Sequence, residues 1–261
     1  MKEPQPYVGS EVPGGRDAAR ITARERLVDL LTGCPVPSSD TVETLAGAAG
    51  WRPPAAMQAV AVVHEAAPPL LLDRWPGALL GRQPEGTVLL LPEPEENGRA
   101  VLARALRGRT AAVGPVVRLP EMAASLRWAR QLLALVPERS APGTRLVYVE
   151  DHLAALLLLQ DEGLARFFAA RRLRPLRGLP ADRAERFAET LLAWLRCGGA
   201  TGAAKTLEVH PQTIRYRMRQ IEALFGPELR DPKGRFELEL ALRSGRLVAE
   251  ARQIRFRARQ R

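Results

Sequence analysis

Four polar side chains in one short stretch, Gln212, Arg215, Tyr216 and Arg219, offer the clearest chemistry in this sequence. At 3.6 residues per turn, Ile214, Met218, Ile221 and Phe225 share one side of a helix. The polar four then occupy the opposite side, with Thr213 and Gln220 at its margin. A guanidinium can donate two parallel hydrogen bonds to a guanine edge, a carboxamide can bond an adenine edge twice, and a Thr or Tyr hydroxyl reaches phosphate or base. Gln212, Arg215, Tyr216 and Arg219 are therefore read as base-reading residues of a DNA-binding helix. Thr213 and Lys205 suit phosphate contacts. Arg217 falls on the flank of the face, where a phosphate contact or an internal ion pair fits better than base reading.

Catalytic and metal chemistry finds less support. His64, His152 and His210 share no metal-ligand spacing, and Cys34 and Cys197 are too few and too far apart for a zinc cluster or a disulfide framework. Each thiol reads as buried or idle. Gly199 to Thr206 spells GATGAAKT, one residue short of a phosphate loop, with Ala204 replacing the second glycine and an amphipathic helix standing where a buried strand should precede it. Glu93, Glu95 and Glu96 read as a solvated loop and not as carboxylates placed to hold a cation. The expectation is binding without catalysis, with no cofactor and no metal.

The elements that must position the polar face follow from pattern. Residues 182–196 read as an amphipathic helix with Asp182 as N-cap and Phe187, Leu191, Trp194 and Leu195 on its apolar side, stopped by Gly198-Gly199. Thr201 to Thr206 is a short Ala-rich helix and Leu207 to Val209 a tight turn. His210 opens the next helix, with Pro211 at a first position where its missing N–H costs nothing. Two short helices joined by a three-residue turn give the helix-turn-helix outline, whose second helix enters the major groove by its N-terminal end.

Upstream, Asp17–Leu31 and Thr41–Ala49 read as helices. Val- and Leu-rich runs at Ala59–His64, Thr87–Leu91 and Thr110–Val113 read as strands, with weaker ones at Ala78–Leu80 and Arg145–Val149. Helices at Glu95–Leu106 and Glu121–Leu135 lie between them, so residues 17–150 are expected to form helices and a small α/β sheet domain. Pro175, Gly178 and Pro180 mark a break, which makes residues 151–180 a helical connector and 181–250 the DNA-binding domain. Residues 1–16 read as a disordered leader. Residues 251–261 form an arginine-rich tail that either continues a helix or frays as a phosphate-seeking arm.

Charge agrees with this division. The net charge of +10 is carried almost wholly by arginine, and residues 181–261 hold 17 basic against 10 acidic side chains while residues 1–180 hold 22 against 19. A polyanion responds to such local positive potential and not to the molecular average. No apolar run reaches the length of a membrane span, and no export signal is visible, so a cytoplasmic protein without a membrane partner is expected.

From Thr190 to Leu247 the sequence resembles the C-terminal helix-turn-helix of PucR/CdaR-family bacterial transcriptional regulators. The resemblance is carried by Leu191 to Leu195 with Gly198-Gly199, Ala203-Ala204, Val209-His210, Thr213, Arg215-Tyr216-Arg217, Gly226, Leu229, Asp231-Pro232 and Leu238 to Leu242. Ala112-Val113-Gly114-Pro115 and Ser125 to Arg130 are similar to the degenerate GGDEF-like domain of that family. Gln212 stands where the family usually has Asn, which bears on the DNA sequence preferred. The resemblance implies an α+β fold: a small α/β GGDEF-like sheet domain followed by an all-α helix-turn-helix domain. It also implies transcription regulation through double-stranded DNA as a homodimer, with an unidentified effector. The alternative is a non-catalytic interaction module that modulates other regulators.

Overall fold

The computed structural model describes residues 15–35, 37–63, 75–94, 97–136 and 145–259. The chain divides into two compact units, Met1–His152 and Leu153–Arg261. His64, Glu95, Glu96 and all but the end of the expected leader lie outside the described residues.

In the first unit, strand β1 (Met57–Val62) is buried along its whole length, which is why its sequence MQAVAV runs apolar without strict alternation. Around it a five-stranded sheet has the order β2-β3-β1-β4-β5, with β2 at Leu79–Gln83, β3 at Gly86–Pro92, β4 at Thr110–Val117 and β5 at Arg145–Tyr148. Strands β2 and β3 form a hairpin in which Gln83 faces Gly86 across Pro84-Glu85. β1 is antiparallel to both β3 and β4, whereas β4 and β5 run parallel. Fold class is thus α+β, a mixed sheet unit followed by a helical one.

Alternate side chains settle which helices cover which face. Val60, Val62, Leu89, Leu91, Ala111 and Val113 form one buried cluster with Leu102 and Leu106, at and just after helix α3 (Gly98–Ala105). The opposite face takes α1 (Gly15–Thr32) and α4 (Met122–Leu133); α2 (Ser39–Ala49) packs on α1. Val28 of α1 approaches β2 so closely that a Cβ on Gly81 would lie 2.7 Å from its side chain. Gln83 ties these pieces together. Its amide donates to Asp29 and Thr32 of α1 at 2.9 and 3.0 Å, while its oxygen accepts from Arg130 of α4 at 2.6 Å.

β4 extends four residues beyond the expected Val113, and the reason lies in Gly114-Pro115. These two residues stand opposite the single residue Ala59, a bulge in the β1–β4 ladder. The fully buried Ser125 of α4 repairs it: its hydroxyl donates to the Pro115 carbonyl at 2.8 Å and accepts the Ala59 N–H at 3.2 Å. Gly114 lies directly against Ser125, with no room for a side chain. The two motifs separated in sequence are one piece of packing.

The second unit is helical: α5 (Leu153–Leu158), α6 (Glu162–Arg172), α7 (Ala181–Cys197), α8 (Ala200–Thr206), α9 (Pro211–Phe225) and α10 (Pro232–Arg259). The proline-rich break at 175–180 does not separate units. Arg174–Leu176 is a 3-10 turn, and Leu176 is buried in the same cluster as Phe187, Leu191, Ile214 and Leu242. Proline interrupts the helix there, yet the apolar packing runs on, and the division falls between His152 and Leu153. The arginine-rich segment from Arg252 continues α10 as helix to Arg259. Among the described residues, no helix is long and apolar enough to cross a membrane.

Candidate nucleic-acid interface

Helices α7, α8 and α9 build the site. α7 begins one residue before Asp182, with Pro180 as N-cap, so Asp182 lies in the first turn, where its charge favours the helix dipole, and makes no cap. Phe187 and Leu191 are buried, and Trp194 and Leu195 are half-buried against the same core. Gly198, at φ 70°, ends the helix in the left-handed region.

α8 spans Ala200–Thr206, so the GATGAAKT stretch is a helix and not a phosphate-cradling loop. Ala203 and Ala204 are buried, and their small size lets α8 sit close to both α7 and α9. In the turn that follows, Glu208 takes φ 53°, and the Val209 N–H donates to the Ala204 carbonyl at 3.0 Å. A left-handed residue followed by that bond is the Schellman ending, here built without the usual glycine.

His210 caps α9. Its Nδ1 accepts the Gln212 N–H at 3.2 Å, and Pro211 fills the first helical position. Ile214, Met218, Ile221 and Phe225 are all buried, with Ile214 and Ile221 at 0% exposure, so the rotation of α9 about its axis is fixed by the core. Gln212, Arg215, Tyr216 and Arg219 consequently face outward, Tyr216 with 58% of its surface free. Among the described residues, Arg215 makes one long contact, 3.4 Å to Gln212 Oε1, which leaves most of its donors available. Thr213 is half-buried beside them, and Lys205 is exposed on α8.

Arg217 sits half-buried at the flank of that surface. Its Nη1 donates to the Thr190 hydroxyl of α7 at 3.2 Å, and that hydroxyl, on a residue at 0% exposure, donates in turn to the Arg186 carbonyl at 2.7 Å. The bond goes to a neutral hydroxyl and not to the carboxylate of an internal ion pair, and it uses one of the guanidinium nitrogens. Gln220 is held likewise, accepting from Arg183 of α7 at 2.7 Å. Sequence reasoning missed both ties. The signal was Thr190 itself, a polar residue inside the apolar face that carries Phe187 and Leu191.

Of the other residues of chemical interest, Cys197 ends α7, its Sγ 3.5 Å from the Thr206 hydroxyl of α8. His152 Nδ1 is 3.0 Å from the Tyr148 carbonyl in the first unit, Glu93 is exposed, and the thiols of Cys34 and Cys197 are free and exposed, not buried.

Residues 187–244 match the PucR C-terminal helix-turn-helix domain. The chain carries a PucR-type helix-turn-helix domain. The match spans most of α7, all of α8 and α9, and the first half of α10, and so contains every element of the site. Uncharacterized proteins of Mycobacterium bovis and Mycobacterium tuberculosis are 31% identical over 159 residues, which is 59% of this chain. That stretch exceeds the PucR-type domain, so the similarity reaches beyond it. The aligned segment spans only 36% of these relatives' length. The crystal structure of a regulator of polyketide synthase expression from Bifidobacterium adolescentis aligns with a TM-score of 0.43 at 23% identity, over 87% of this chain and 98% of that one.

Proposed function

We propose that this protein is a sequence-specific DNA-binding transcriptional regulator that presents the N-terminal half of α9 to the major groove. The observation that carries the reading is the outward face of Gln212, Arg215, Tyr216 and Arg219, on a helix whose inner face is locked in the core and whose residues fall within the PucR-type domain. In this reading these four contact base edges. Lys205 and Thr213 hold the phosphate backbone, and Arg217 orients the helix from behind. The protein works as a homodimer on paired half-sites, as helix-turn-helix proteins generally do. The sheet unit serves as a degenerate GGDEF-like domain in packing or signal transmission.

The test is selection of genomic fragments by the purified full chain, followed by titration of the best fragment and of its scrambled version at several salt concentrations. Expected are a defined site with two half-sites, a steep salt dependence, and at least roughly a thousandfold preference over the scrambled DNA. Binding indifferent to sequence would overturn the proposal and select the interaction-module reading instead.

A further inference from the structure

Eight large apolar side chains are conspicuously exposed among the described residues, and four of them fall within fifteen residues: Leu153 (57%), Leu157 (75%), Leu164 (63%) and Phe167 (64%). Helix α6 is amphipathic in an inverted sense. Its small residues Ala165 and Ala169 face inward and are buried, with Ala169 Cβ near α10 at Gly245, while Leu164 and Phe167 point outward. A helix that buries alanines and exposes a leucine and a phenylalanine is placed to be covered. On α5, Leu153 and Leu157 lie one turn apart on one side.

From this we infer that α6 is the dimer interface, packing against its own copy about a two-fold axis near Phe167; the inference deepens the regulator reading and takes its need for paired half-sites from it. Two features choose a second copy over other partners. The first is charge. The exposed end charges of α6 are Asp161 at its start and Arg171 at its end, Arg172 being turned to Glu228 and Glu237 of its own chain, so antiparallel pairing sets Asp161 of each helix beside Arg171 of its mate, with the helix dipoles opposed as well. A two-fold axis perpendicular to α6 produces this head-to-tail arrangement, which pairs the opposite charges. The second is area. Leu164 and Phe167 present on the order of 250 Å² per copy on α6 itself, about a third of the ~800 Å² that each partner buries in a standard interface.

The experiment is sedimentation of the full chain without DNA, which keeps it independent of whether the DNA reading holds. The wild type is expected to dimerise, and Phe167→Glu, a change at an exposed position, to raise the dimer dissociation constant by at least roughly tenfold, because it sets two like charges together at the axis. As a second measurement, Phe167→Cys in a Cys34→Ser, Cys197→Ser background should form a covalent dimer on mild oxidation, since residues at a two-fold axis come within disulfide reach. Arg230→Cys in the same background, exposed but not on α6, should not. A monomeric wild type, Phe167→Glu as dimeric as wild type, or cross-linking no greater at 167 than at 230 would each overturn the assignment.

Discussion

At the scale of single residues, the two arginines of Arg215-Tyr216-Arg217 are chemically identical and two positions apart, yet the helix sends them to opposite fates. Arg215 faces outward with its donors largely free, whereas Arg217 turns inward to Thr190. Arg215→Ala is expected to cost about 1–3 kcal/mol of specific DNA affinity and to relax the preference at one base pair, leaving thermal stability unchanged. Competition against operator variants reads both effects. Arg217→Met should do the reverse in solution: it strips a charged donor from a buried hydroxyl, lowering the unfolding free energy by about 1 kcal/mol while the slope of log affinity against log salt stays put. Lys205→Ala provides the contrast, because removing a phosphate contact lowers that slope by about one. A slope for Arg217→Met that falls as it does for Lys205→Ala would return Arg217 to the DNA surface.

At the scale of elements, the turn between α8 and α9 decides where the reading face points, and it holds a measurable strain. Glu208 sits at φ 53°, a region where an L residue is strained by roughly 1 kcal/mol and glycine is not. Glu208→Gly should therefore raise the unfolding free energy by roughly 0.5–1 kcal/mol, and Glu208→Val should lower it by at least about 1 kcal/mol, both read by urea denaturation. Equal effects of the two would remove the strained turn from the account. The tight turn was legible in the sequence between the alanine-rich stretch and His210-Pro211, but its left-handed residue was not, because glutamate gives no sign of it. The inner stripe of α9 was legible because the 3.6-residue period is strict there, and Ile214, Met218, Ile221 and Phe225 are all buried. Strand β4 was read four residues short, since Gly-Pro in a strand ordinarily signals an end; the repair by Ser125 comes from a helix and depends on tertiary packing. The break at Pro175–Pro180 misled for a related reason. Proline reports where backbone hydrogen bonding stops, and domains end where apolar packing stops.

At the scale of the whole molecule, the unit boundary sharpens the charge argument. Residues 1–152 carry 17 basic and 17 acidic side chains, and residues 153–261 carry 22 and 12, so the entire net charge of +10 belongs to the helical unit. Had the boundary lain near residue 180, part of that excess would have stayed upstream. The helical unit also has a core of its own: Leu176, Phe187, Leu191, Ile214, Ile221, Leu238 and Leu242 form one cluster with no member from the first unit. A fragment of residues 153–261 should therefore unfold cooperatively by itself and bind the selected DNA with the same salt slope as the full chain, within about one unit, because counterion release depends only on the cations that meet phosphate. A neutral first unit adds none. If the fragment folds but its slope is smaller by two or more, basic residues of the first unit, for all its neutrality, touch the DNA; if it fails to fold, the core of the helical unit is insufficient alone and the two units stabilise each other. An unchanged slope would confine DNA binding to the helical unit and leave the sheet unit to modulate it.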